Sequence, residues 1–278
     1  MNFLQVCGLR RSIRFYKTWQ PVEREKIQRI LEVVRVTTTC PGNLQPWRAV
    51  VVEANKLDPK DREKLLAADN HQGAHRTAPV WIYWFADPEM GRPETFQKRV
   101  HELMDLGALA SCHGWTHEAI NASIEKGVRS PEGMPEIGGL LHNLPREVSA
   151  IIARGETIGA CDVACLAAVN EGLGTCLHMV ATMDKVAEVK KFLKVPESWE
   201  AVWLQLVGYP AEEPEAGGQR PRLPFNELFF DGAYGKPFPR DAAVVEQLKT
   251  EGLLRAPAPK PGRFDEIKHL AQMFGFPV

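Results

Sequence analysis

Three short stretches of this chain carry residues able to grip a charged or hydrogen-bonding ligand. The first is Arg10-Arg11-Ser12-Ile13-Arg14. Guanidiniums suit an oxyanion because each can offer two parallel N–H donors, and the Ser12 hydroxyl adds a neutral one. The second is Pro41-Gly42-Asn43-Leu44-Gln45-Pro46-Trp47. Pro41-Gly42 is a turn dipeptide, and Gly42 or Asn43 takes positive φ at little steric cost. Pro46 pushes Gln45 out of the helical region and starts an extended segment. The loop then presents two carboxamides, Asn43 and Gln45, each with donors beside an acceptor. That suits the edge of a planar heterocycle that alternates C=O and N–H. The third stretch is Gln219-Arg220-Pro221-Arg222-Leu223-Pro224, where prolines hold Arg220 and Arg222 in an extended segment. Taken singly, each stretch is more simply a solvated surface feature.

Other chemistry is weaker. His113 and His117 are spaced i,i+4 on a helical pattern, a spacing able to bind a metal. No third ligand is well placed, so both read as ordinary surface or core histidines, and no metal site is expected. Cys7, Cys40, Cys112, Cys161, Cys165 and Cys176 form no CxxC pair. Cys161 and Cys165 fall i,i+4 on an apolar helix and read as core packing, and reduced thiols are expected. No Ser/His/Asp or Cys/His set is evident, so no catalytic nucleophile is expected. Trp47, Trp81, Trp84 and Trp115 are either core residues or include a stacking platform.

The elements that must position these residues are legible from composition and period. The chain has 278 residues, 44% apolar and 25% charged, with a net charge of −1. This is ordinary globular composition, and the charge balance argues against nucleic acid or an anionic membrane as partner. The apolar start, Met1 to Leu9, precedes its arginines, the reverse of a secretory signal, so a cytoplasmic protein is expected. Helical spacing predicts Asn2–Arg10, Pro21–Thr37 with Pro21 in the first turn, and Asp58–Ala68 with Asp58 as N-cap. It also predicts one long helix from Thr95 to about Glu125 and another over Arg146–Gly172. The second is rich in small residues and fits a central or subunit-interface position. Shorter helices are expected at Met183–Leu193, Asp241–Leu254 and Phe264–Met273. Strands are expected at Arg48–Ala54, Pro79–Ala86, Cys176–Ala181 and Trp199–Tyr209, with Pro79–Ala86 central and buried on both faces. Gly127–Leu144 reads as a loop or lid, and Ala211–Gly218 as an acidic, flexible link.

In sequence order these pieces are more specific than any one alone. Arg-Arg-Ser-Ile-Arg near the start is followed by the Asn-x-Gln-Pro-Trp loop, an Ala-Pro strand and Gly172-Leu173-Gly174-Thr175 closing a buried helix. Gly208-Tyr209-Pro210 then ends a strand, before Arg-x-Arg-Leu-Pro. The series resembles the FMN-dependent nitroreductase family from about Leu9 to Leu228, with about Asp87 to Leu144 unmatched in detail.

The resemblance implies an α+β fold with a central, mostly antiparallel sheet flanked by helices, in a homodimer with a swapped C-terminal segment. It divides the chain into an FMN domain over 1–230, with an insert or lid at about 87–144, and a C-terminal extension over 231–278. It places FMN at the subunit interface. Arg10, Arg11, Ser12, Arg14, Arg220 and Arg222 would hold the phosphate and ribityl chain. Asn43 and Gln45 would reach the flavin from the partner chain, Gln72 would contact the ring, and Gly174 would bring backbone close to it. Thr39-Cys40-Pro41 departs from the family's small residues there, and the resemblance leaves open whether Cys40 contacts the flavin. The implied activity is transfer of reducing equivalents from NADH or NADPH through flavin N5 to a nitroaromatic, quinone or activated alkene. Dehalogenation, flavin breakdown and non-catalytic flavin binding are the alternatives.

Overall fold

The computed structural model describes residues 1–37, 39, 42–109, 116–126, 146–215, 217–256 and 259–277. Its centre is the strand Val80–Ala86, buried at every position. The sheet contains β1 (Trp47–Glu53), β2 (Val80–Ala86), β3 (Gly174–His178) and β4 (Glu200–Gly208). Their order is β1-β2-β4-β3, and every pairing is antiparallel. The expected α+β fold is therefore present.

Alternate side chains of β2 face opposite cores. Val80, Ile82 and Trp84 pack beneath α2 (Arg24–Arg35) and the long helix Arg146–Asn170. Trp81, Tyr83 and Phe85 face α3 (Pro59–Ala68), α4 (Gly73–Thr77) and the helix Val186–Phe192. Trp81 and Trp84 are thus core residues and not a stacking platform, and Trp47 packs against the same core. Ala160, Cys161, Ala164, Cys165 and Ala168 let Arg146–Asn170 lie close on the sheet. Burial pushes the Cys161 thiol up strongly and the Cys165 thiol up to about 12, so both are inert packing groups.

Several predicted boundaries move. The second helix begins at Arg24, with Pro21 before it. The expected helix Thr95 to Glu125 is two helices, α5 (Pro93–Asp105) and α6 (His117–Lys126). Gly107 takes φ +71°, and the Met104 and Leu103 carbonyls accept from the N–H groups just beyond α5. His117 therefore meets His101 across the two helices, with Nδ1 atoms 2.5 Å apart, and its Nε2 lies 3.1 Å from Asp105. His113, Cys40, Trp115 and the expected lid Gly127–Leu144 lie outside the described residues. Gly172 ends α7 (Arg146–Asn170) at φ +76° as read from the sequence. The strand after it starts two residues early, at Gly174. The helix that follows is α8 (Val186–Phe192). Among the described residues no helix is long and apolar enough to cross a membrane.

The chain beyond β4 does two things. α9 (Phe225–Leu228) and α10 (Ala242–Thr250) contain no buried residue. Between them, Phe229, Tyr234 and Phe238 are exposed, Tyr234 at 92%. From Gly252 the chain returns to its own body. A Cβ on Gly8, in α1 (Phe3–Leu9), would lie 2.0 Å from the Gly252 carbonyl oxygen. Gln219 binds the same return segment, donating to the Leu253 carbonyl at 2.9 Å and accepting from the Arg255 N–H at 3.2 Å. α11 (Arg263–Met273) follows. Gly8→Ala should force α1 from this segment and cost about 1–3 kcal/mol, as overpacking does. Urea unfolding and proteolysis beyond Gly252 read it, and an unchanged midpoint would show that the two segments do not pack.

Candidate functional site

The Arg10–Arg14 stretch runs along the free edge of β3. Ser12 bridges Thr175 in parallel, and the Ile13 N–H donates to the Thr175 carbonyl at 3.0 Å. A Cβ on Gly174 would sit 2.8 Å from the Ile13 side chain. Gly174 is therefore bare to seat Ile13, and it does not line the cavity formed nearby. Its expected approach to a flavin ring is replaced by this packing role. Thr77, at the end of α4, donates to the Arg14 carbonyl at 3.2 Å and so ties α4 to the arginine stretch.

Glu212 organises these segments. It lies in the stretch expected to be flexible, yet it is 2% exposed. Its carboxylate accepts from the backbone N–H groups of Arg14 and Phe15. It also pairs with the Arg11 guanidinium at 3.1 Å and with Arg263 from α11. Burial alone would raise the Glu212 pKa. The Arg14 N–H bond, with Arg263 and Arg11, outweighs that and holds it below the ordinary carboxylate value. Burial lowers the Arg11 pKa, with Glu212 opposing, and the guanidinium stays charged. Arg11 also donates to the Pro214 and Glu213 carbonyls. Its donors are largely engaged by these partners, although it lines the cavity described next.

Around this anchor opens a cavity of about 1120 Å³. Arg10, Ser12, Arg14, Gln72, Arg220 and Arg222 all line it, so the structure brings these predicted site residues together. Arg263 and Arg11 are neutralised by Glu212, Arg255 and Lys260 by Glu215, and Lys249 by Glu246. Arg10, Arg14, Arg220 and Arg222 have no carboxylate within ion-pair distance among the described residues. Four uncompensated guanidiniums lining one cavity are chemically suited to an anion.

Apolar side chains also line the cavity: Phe15, and Phe264, Ile267 and Phe276 from the C-terminal segment. Phe15 stacks on Phe274 with centroids 6.1 Å apart, and Phe276 lies 6.0 Å away. Arg76 sits 4.8 Å over Phe276. His178, from the end of β3, also lines the cavity, and burial holds its pKa below the usual histidine value. Sequence reading missed Glu212, His178 and this aromatic wall. Only the Phe274-Gly275-Phe276 pattern was visible as a signal, and nothing local links it to Phe15.

Asn43 and Gln45 lie elsewhere. They precede β1, whose first residue pairs with the last of β2, while the cavity adjoins β3 at the other edge. Strand length and spacing separate those corners by about 25 Å. Both residues are left-handed, at φ 55° and 50°. Gln45 thus avoids the helical region before Pro46 by turning left-handed, where an extended conformation was expected. Gln45 Nε2 donates to Asn43 Oδ1 at 2.9 Å. That bond orients both amides and uses one Gln45 donor and the Asn43 oxygen. Strained backbone of this kind is retained where surroundings or a ligand over-determine it.

Comparison with known proteins places these features. Residues 9–112 match the family model described as the Nitroreductase family. A Staphylococcus haemolyticus protein named an NADPH-dependent oxidoreductase is 28% identical over 181 residues, 55% of this chain and 71% of its own. YdgI of Bacillus subtilis, named as an NAD(P)H nitroreductase, is 31% identical over 109 residues, 38% of this chain and about half (48%) of its own. A nitroreductase from Exiguobacterium sibiricum, solved in complex with FMN, superposes with a TM-score of 0.62. It is 20% identical, covering 82% of this chain and 96% of that one, so the likeness is one of fold.

Glu212→Gln leaves the Arg11 guanidinium without a carboxylate and Arg263 with Glu266 alone, and breaking a buried pair from one side costs about 3–5 kcal/mol. The lowered pKa means that this stabilisation is complete above the ordinary glutamate value of 4.5 and is lost as pH falls through the folded value. Urea midpoints should therefore fall more steeply below that pH in the wild type than in Glu212→Gln. Equal acid slopes would contradict the pairing.

Proposed function

Since the chain belongs to the nitroreductase family, we propose that it is an FMN-dependent oxidoreductase, using NADH or NADPH to reduce a nitroaromatic, quinone or activated alkene. The observation that carries this reading is the meeting of Arg10, Arg14, Arg220 and Arg222, all without carboxylate partners, in one cavity. Small-molecule sites usually occupy about 300–1,000 Å³, so a cavity of about 1120 Å³ has room for a cofactor and a second reactant.

The residues present fit FMN. Its phosphate is nearly dianionic, and the four guanidiniums offer bidentate donors from both ends of the FMN domain. Ser12 adds a hydroxyl beside them. Gln72 and the Gly73–Ala74 backbone line the adjoining wall and would meet the ring. FMN, when bound, supplies the hydride chemistry, taking hydride from the nicotinamide and passing it to the acceptor. The chain's part is to bind, orient and exclude water. Phe15 and Phe276, which line the cavity, would offer aromatic faces to a conjugated acceptor.

The remaining half of the site is read as the partner's. Asn43 and Gln45 cannot reach this cavity within one chain, and their remaining amide donors and acceptor match the pyrimidine edge of a flavin. A homodimer would bring them across. The outer face of α7 leaves Ile151 and Ile158 exposed, and the unburied arm Phe225–Thr250 projects aromatic side chains. Both are suited to a subunit interface, the arm by exchange between subunits.

Titration with FMN tests the assignment. The wild type should hold one FMN per chain. Arg10→Ala and Arg222→Ala should each weaken it at least tenfold, the usual effect of losing a charge-assisted pair. Full retention in both variants would overturn the phosphate site. Steady-state oxidation of NADPH with a quinone should give parallel-line kinetics. NADPH oxidation no faster than with free FMN would instead mark a non-catalytic flavin-binding protein.

A further inference from the structure

A buried polar pair lies under the cavity wall, and the proposed reaction does not use it. Asp69 ends α3, and His75 lies in α4. His75 Nδ1 is 2.8 Å from Asp69 Oδ2, with His75 wholly buried and Asp69 6% exposed. The His75 ring meets the Trp81 ring edge-on at 4.1 Å. Among the described residues, Asp69 Oδ1, His75 Nε2 and the Tyr83 hydroxyl have no hydrogen-bond partner. A core rarely keeps a half-satisfied polar network without a use for it.

Its use follows from what the pair encloses. Between the two residues, Asn70 and His71 both take left-handed backbone, at φ 58° and 54°. Consecutive left-handed residues other than glycine are costly and need to be held from outside. The Asp69–His75 bond closes over that turn and over Gln72, Gly73 and Ala74, which line the cavity. The flanks are pinned as well. Thr182 donates through its N–H to the Ala68 carbonyl at 2.9 Å, and Thr77 binds the Arg14 carbonyl. The turn itself is tied back to α3, with the His71 N–H donating to the Leu66 carbonyl at 2.8 Å, and the side-chain pair closes its far end.

We propose that Asp69 and His75 are positioning residues. Their hydrogen bond holds the 70–71 turn and so sets the Gln72–Ala74 wall against the flavin ring, fixing the balance of affinity between oxidised and reduced FMN. This rests on the FMN reading above. His178 and Tyr83 are the other titratable groups near the pair. Burial lowers the first pKa and raises the second, so both are neutral near pH 7.

The test uses Asp69→Ala and Asp69→Asn in the FMN-loaded protein, reading FMN affinity, the flavin midpoint potential and the melting temperature of the flavin-free protein. Asp69→Ala should weaken FMN about tenfold, the worth of one hydrogen bond to a charged group. It should also change the ratio of oxidised to reduced affinity severalfold, with Asp69→Asn recovering most of both because its amide oxygen still accepts from His75. Arg222→Ala, acting on the phosphate, should weaken both oxidation states alike and leave the potential unmoved. If Asp69→Ala does not fold, His75→Phe fills the same space against Trp81 and carries the same expectation. A lowered melting temperature with unchanged affinity and potential would overturn the proposal and leave the pair a core feature. A wild type that binds no FMN would instead overturn the reading beneath it.

Discussion

One carboxylate joins the parts of this molecule that distant sequence must bring together. Glu212 receives backbone N–H groups from Arg14 and Phe15, a guanidinium from Arg11 and another from Arg263. It therefore ties the N-terminal arginine stretch, the link after β4 and the C-terminal helix at a single buried point. A buried charge is costly unless every lone pair is used, and here they are. Arg11 lines the cavity too, but its charge is matched by Glu212. The neighbours Arg10 and Arg14, which no carboxylate claims, are left for the cavity. The same anchor fixes the aromatic wall, since Phe274 and Phe276 follow directly on the helix that carries Arg263.

The frame behind that anchor was largely legible in sequence. An unbroken apolar run from Val80 to Ala86 admits little other than a strand covered on both faces. Asp58-Pro59 caps a helix through a local hydrogen bond to the Lys60 N–H. Gly172 ends one because glycine takes the left-handed conformation freely. The failures are non-local. Nothing near Glu212 marks it as buried, because its partner Arg263 lies far along the chain. The period from Thr95 onward continues across Gly107, so one helix was expected where the backbone makes two. Proline at 46 excludes right-handed helix for Gln45 but does not choose between extended and left-handed.

The candidate site was legible as residue types and only partly as a place. Guanidiniums from the Arg10–Arg14 and Arg220–Arg222 stretches, far apart in sequence, converge on one cavity. The carboxamide loop does not join them within one chain, for a topological reason: β1 and β3 are opposite edges of the sheet. That separation, the unburied arm and the exposed apolar residues on α7 are what the proposed site, completed by a second copy of the chain, would account for.

Sedimentation of the FMN-loaded protein, followed both in the protein band and in the flavin's visible band, tests that account most directly. It predicts one boundary of dimer mass carrying one flavin per chain, and loss of flavin from the species that sediments as monomer on dilution. Flavin retained in full on a monomer, or a dimer that carries none, would contradict it.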